Sequence, residues 1–145
     1  MTNNILVNAH SGLRWVALIL LIYAIINALS GKSTYGKKDK ILNLFAMISL
    51  HFQLLLGAFL YMTSAKVAFI PGWIKIEQFR FFGLEHLFGM ITAIALVTLG
   101  RTIAEKQTEA INKHKKIRLY YLIGLIVILV FIPWPFRHAL GGRWM

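Results

Sequence analysis

The chain has 145 residues, of which 58% are hydrophobic and none is cysteine. An ordinary soluble domain is about 45–50% apolar, so this composition excludes a soluble globular protein, and the missing cysteines exclude disulfides, thiolate metal sites, iron–sulfur clusters and cysteine nucleophiles. Sixteen Lys and Arg against five Asp and Glu give a net charge of +11; because these charges fall between long apolar runs, they point to a bilayer and not to nucleic acid.

A membrane crossing needs about 20 mostly apolar residues, and four stretches meet that need: 13–29, 41–61, 81–100 and 119–136. Residues 1–12 carry no basic n-region, and no small-residue cleavage site follows the first run, so this run is read as a retained span. Lys32, Lys37, Lys38 and Lys40 separate the first and second spans. Between the second and third, the segment from Lys66 to Arg80 is amphipathic, is interrupted by Pro71-Gly72-Trp73, and is expected to lie along the interface. Arg101, Lys106, Lys113, Lys115, Lys116 and Arg118 separate the third and fourth; the 101–118 loop itself reads as a short solvated helix with a Glu109-to-Lys113 pair. In the tail, Pro133 and Pro135 end the last helix.

No water inside a bilayer satisfies free backbone groups, so helices are the expected spanning elements. The fold class that follows is an all-α integral membrane four-helix bundle, a single domain with up-down connectivity from its short loops. Ten of the positive charges lie in the first and third loops, which by the positive-inside rule puts both termini on the outer side. Trp73, Trp134 and Trp144 then fall at the outer boundary, as an interfacial aromatic belt requires.

Ionisable side chains within spans are functional candidates by default. Heights above the inner surface, from about 1.5 Å per residue, put Arg14 near 25 Å and Glu85 near 23 Å, matched for an ion pair between the first and third helices. His51 comes to about 16 Å, His86 to about 22 Å and His10 to about 31 Å on the same scale. A haem iron within a bundle takes two imidazoles from facing helices. By height His51 and His86 are the best-matched pair, and His10 with His86 the competing one. Gly57 and Ala58 on the second helix and Gly83 and Gly89 on the third would let a flat ring approach the backbone. Phe59, Phe82 and Phe88 would line it, and Arg14, Arg80 and Arg137 stand near the outer rim, where propionates need cations. His114, within a Lys-rich run, is read as part of an anchor at anionic headgroups, and His138 as a surface residue.

Five strings sharpen this reading: His-Ser-Gly-Leu-Arg-Trp at 10–15, His-Phe-Gln-Leu-Leu-Leu-Gly at 51–57, Glu-His-Leu-Phe-Gly-Met at 85–90, His-Lys-Lys at 114–116 and Ile-Pro-Trp-Pro-Phe at 132–136. Over nearly the whole chain they resemble a group of small four-helix bacterial membrane proteins labelled cytochrome b or cytochrome b-like. The resemblance implies a b-type haem protein of electron transfer in the bacterial cytoplasmic membrane, with His10, His51, His86 and His114 as candidate metal ligands. Two-haem b cytochromes pair histidines at two heights; here His114 has no partner on the inner side, so one haem is expected. The leading expectation is a haem b electron-transfer protein held by His51 and His86, with Arg14 and Arg80 answering the propionates. Its partners would be the lipid bilayer and a quinone/quinol pool or a larger respiratory complex. The alternatives are a haem-free accessory or assembly subunit, in which the same residues form a polar network, and a haem-using membrane oxidase similar to four-helix protoporphyrinogen oxidases. A proton or quinone role for Glu85 beside His86 is a further possibility.

Overall fold

Ala17, Leu21, Ala24 and Ala28 recur every three or four residues and are all buried, the spacing that puts side chains on one helical stripe. That stripe is the inner face of α1 (Thr2–Leu29). In this computed structural model, which describes residues 2–30 and 33–141, α1 is followed by α2 (Lys37–Thr63), α3 (Glu77–Glu105) and α4 (Ala110–Phe131). Among the described residues there is no strand. Lys32, Gly142, Arg143 and Trp144 lie outside the described residues.

The packed pairs are α1 with α2, α2 with α3, α3 with α4 and α4 with α1, so sequence neighbours are spatial neighbours around a ring. Three of the helices, over Ile5–Leu29, Lys37–Thr63 and Glu77–Glu105, are long and apolar enough to cross a membrane. The fourth differs from the span expected at 119–136. Its first half carries Lys113, Lys115, Lys116 and Arg118, and the helix stops at Phe131 because Pro133 drives the residue before it out of helical geometry: Ile132 is extended, at φ −71° and ψ 133°.

Glycines set the tightest contact. A Cβ on Gly89 would meet the Phe131 ring at 2.4 Å, one on Gly100 would meet Tyr120 at 2.3 Å, and one on Gly124 would meet Val97 at 2.9 Å. The three contacts run in antiparallel order along α3 and α4, each glycine receiving a side chain of the other helix. The slot at Gly89 is therefore filled by Phe131 and is no approach for a flat ring; Gly83 is likewise closed, 3.2 Å from Trp73.

Polar bonds tie the end of the bundle that holds the α1–α2 and α3–α4 loops. Asp39 accepts from the Gly36 amide at 2.8 Å, capping α2, and from the Asn27 amide at 2.7 Å, joining it to α1. Tyr35 donates to Glu105 and accepts from Asn43, while Tyr121 donates to the Asn43 carbonyl. His114 is buried here at 4% exposure, its Nε2 3.0 Å from the Thr34 carbonyl oxygen. It is packed inside the protein and holds the α1–α2 loop onto α4. The solvated helix expected over 101–118 is also absent: Arg101–Glu105 finishes α3 and Ala110 begins α4. Lys113 donates to the Glu105 carbonyl, and Glu109 accepts from Asn112.

At the opposite end of the bundle Pro71 and Gly72 occupy the corners of a turn closed by Trp73 N–H to the Ile70 carbonyl, 3.0 Å. Gly72 takes φ +79°, which this turn type demands and glycine supplies. A short 3-10 turn, Trp73–Lys75, then leads into α3.

Candidate functional site

A cavity of about 520 Å³ opens between the helices at the end of the bundle that holds the loop after α2, lined by all four helices, that loop and the tail. Its chemistry comes from few side chains: His10, Arg14, Gln53, Tyr61, Lys66 and His86, set among apolar residues such as Leu54, Phe82, Leu87 and Met90.

α3 delivers His86 through an irregularity. Residues Phe81–Glu85 form a π-helical turn immediately before it, a feature that widens the helix and re-aims the side chains beyond it. Tyr61 donates to the Gly83 carbonyl within that turn at 3.0 Å. The same widening explains the ion pair found there. Residues five apart diverge by about 140° on an α-helix but come onto one side of a π turn, and Arg80 Nε reaches Glu85 Oε1 at 2.7 Å. The expected pairing of Glu85 with Arg14 is thus replaced by one with Arg80. Arg80 also donates to the Ile74 carbonyl and does not line the cavity.

His86 Nδ1 lies 2.7 Å from the Phe131 carbonyl oxygen. A carbonyl only accepts, so Nδ1 carries the proton and Nε2 keeps a lone pair. Across the cavity His10 stands on α1, its ring centre 6.5 Å from that of His86 and its plane at 80°. The Gln53 side chain donates to the His10 carbonyl, and Gly57 makes room for the ring, where a Cβ would lie 3.4 Å from His10 Cε1. The Nδ1 atom of His10 is buried with no hydrogen-bond partner among the described residues. Phe82 packs edge-on against His86 at 6.0 Å.

The structure brings His10, not His51, to face His86. His51 sits deeper on α2, below the Gln53–Gly57 level that meets His10, and it does not line the cavity. Its Nδ1 bonds the Met47 carbonyl at 2.8 Å, and its Nε2 lies 3.5 Å from Thr98 Oγ1, at the limit of hydrogen bonding. His114 belongs to the opposite end of the bundle, seventeen residues before Phe131 on α4. Of the proposed lining residues Gly57, Ala58, Phe82 and Arg14 do line the cavity, whereas Phe59 and Phe88 face outward at 48% and 59% exposure. Arg14 is one turn beyond His10 on α1, with its guanidinium over Trp15 at 5.3 Å. Arg137 stacks on Phe81 and approaches Glu77 at 3.8 Å.

Sequence reasoning passed over Lys66, Gln53, Tyr61 and the Phe131 carbonyl. Gln53 alone left a signal, an amide within an apolar span. Among the described residues no group of three or more His, Cys, Asp or Glu converges on a common point. No protein-family model, no curated protein and no solved structure matches the chain.

Proposed function

We propose that the protein crosses the bacterial cytoplasmic membrane four times with both termini outside, and holds one b-type haem between His10 and His86 for electron transfer. The observation that carries this reading is the histidine pair across a largely apolar cavity. The ring centres of His10 and His86 are 6.5 Å apart, a separation at which both imidazoles could reach one metal. A porphyrin brings four nitrogens of its own, so a pair suffices where a protein-only metal site would need more ligands. His86 has the outer-shell partner typical of a ligating histidine, its Nδ1–H held by a carbonyl. The unpartnered buried nitrogen of His10 is the kind of polar atom that a ligand relieves.

A haem held by His10 and His86 would supply one-electron transfer. The chain's own residues hold and shield it. Phe131 fixes the His86 tautomer, Gln53 fixes the α1 backbone at His10, and Leu54, Phe82, Leu87 and Met90 keep water from the cavity.

Membrane insertion is supported by the outward face of α2, where Phe45, Phe52, Leu55, Phe59 and Met62 form an exposed apolar stripe. In the fourth helix the lysines at its start would snorkel to the inner interface and the tail Trp134 would reach the outer one. With most of the chain in lipid, the electron partners are a membrane quinol or a larger respiratory complex. The test is pyridine haemochrome quantification of the purified protein from iron-replete cells. About one haem b per chain is expected; a colourless, folded protein would favour a haem-free accessory subunit.

A further inference from the structure

An open groove of about 530 Å³ runs between α3 and α4 and shares Phe131 with the histidine cavity. Gly89 forms its bed, where the missing Cβ lets the Phe131 ring lie against α3. Phe88, 59% exposed, and Val127 stand beside that ring. Two polar side chains interrupt the apolar surface, Glu85 and Thr92. Resting on the reading of a membrane-embedded haem protein given above, we infer that this groove docks the ring of a lipid-soluble para-quinol, with its two hydroxyls on Glu85 and Thr92.

Spacing selects this occupant. Glu85, Phe88 and Thr92 follow one another at steps of three and four residues, which puts them on one stripe of α3. Seven residues of helix separate Glu85 from Thr92 by about 10.5 Å along the axis. Two hydroxyls para on a six-membered ring, about 5.5 Å apart and each with a hydrogen bond of about 2.7 Å, span about 11 Å. Chemistry selects it as well. Arg80 Nε holds Glu85 Oε1 at 2.7 Å and fixes the carboxylate at the head of the groove, while Oε2 accepts no bond among the described residues. A phenolic hydroxyl donating to that oxygen makes a charge-assisted bond. Thr98 and Thr102, farther along the same helix, each donate to the carbonyl four residues before; the Thr92 hydroxyl bonds nothing among the described residues. An acyl chain in the groove would leave both polar groups without a partner, and a quinol satisfies both. Phe131 then connects the two sites, because its ring floors the groove and its carbonyl holds His86 Nδ1 at 2.7 Å.

The test measures binding of a tritiated, short-tailed para-benzoquinol, kept reduced under argon, to full-length protein in nanodiscs of phosphatidylcholine, with uptake by empty nanodiscs subtracted. The comparison ligand is the dimethyl ether of the same molecule, which donates no hydrogen bond. Wild type binds the quinol about tenfold more tightly than the ether, as a charge-assisted hydrogen bond gives. Glu85→Gln removes most of that preference. Thr92→Val, which leaves the Arg80–Glu85 pair intact, weakens quinol binding about threefold, and Thr102→Val, outside the groove, leaves it unchanged. Equal binding of quinol and ether by wild type marks a groove for apolar chains alone and overturns the inference, as does unchanged quinol binding in Thr92→Val. Each measurement is made on protein prepared with haem, held reduced, and on protein from haem-depleted cells. Variant-sensitive quinol binding by a protein that takes up no haem upholds the groove while the haem reading falls. A haem-loaded protein indifferent to the quinol keeps the haem reading and overturns the groove.

Discussion

The His86 imidazole and the Phe131 carbonyl, on neighbouring helices and 2.7 Å apart, join the chemistry of the cavity to the packing of the bundle. Phe131 can offer that carbonyl because its ring fills the space left by Gly89. One side chain missing from α3 and one ring on α4 therefore set the orientation of the histidine.

Gly89→Ala drives a methyl group into the Phe131 ring and should cost about 1–3 kcal/mol of stability, as overpacking does. The displaced ring takes its carbonyl with it, so haem retention falls as well. Gly100→Ala meets Tyr120 just as closely but far from the cavity; it should lower the melting temperature in detergent and leave haem content unchanged. Equal haem loss in both variants would break the link between Gly89 and the site.

Tyr61→Phe removes the side-chain donor to the Gly83 carbonyl inside the π turn. Losing one such hydrogen bond costs about 0.5–1.5 kcal/mol. The variant should melt earlier and show a shifted haem α-band, since the turn that aims His86 loosens. An unaltered spectrum would separate the turn from the aim of the histidine.

In the loop between α1 and α2, burial pushes the Tyr35 phenol up to about 12; the Asn43 hydrogen bond works against this and Glu105 adds to it. A raised folded value favours the neutral phenol in the folded protein. The resulting stability is fully present below the unfolded value of 10.0 and is lost as pH rises through about 12. Melting curves from pH 8 to 12 should show wild type more stable than Tyr35→Phe at the low end, with the gap narrowing above pH 10. A constant gap would contradict the assignment.

The helices were legible because apolar length and basic loops state them directly, although the fourth runs from Ala110 to Phe131 and not over 119–136. Which histidines face each other was not, and the reason is a boundary. With the third span closed at Gly100, His86 came out about 9 Å lower than His10. α3 runs on to Glu105, and nineteen residues then separate His86 from its helix end, the same number that separates His10 from Leu29. The helix continues past Gly100 because Arg101 and Glu105 are good helix formers that extend into the polar region, where hydropathy no longer marks it. The Glu85 pairing was hidden for a different reason. A π turn has no composition signature here, and only within one do residues 80 and 85 share a side. Lys66 was hidden because its partners are carbonyls of the tail, seventy-four and seventy-five residues away.

The most direct test of the histidine assignment is the reduced-minus-oxidised spectrum of three single variants, His10→Ala, His86→Ala and His51→Ala, each checked for folding by circular dichroism. Loss of the α-band in the first two with retention in His51→Ala is the predicted result. Retention in His10→Ala together with loss in His51→Ala would contradict the assignment.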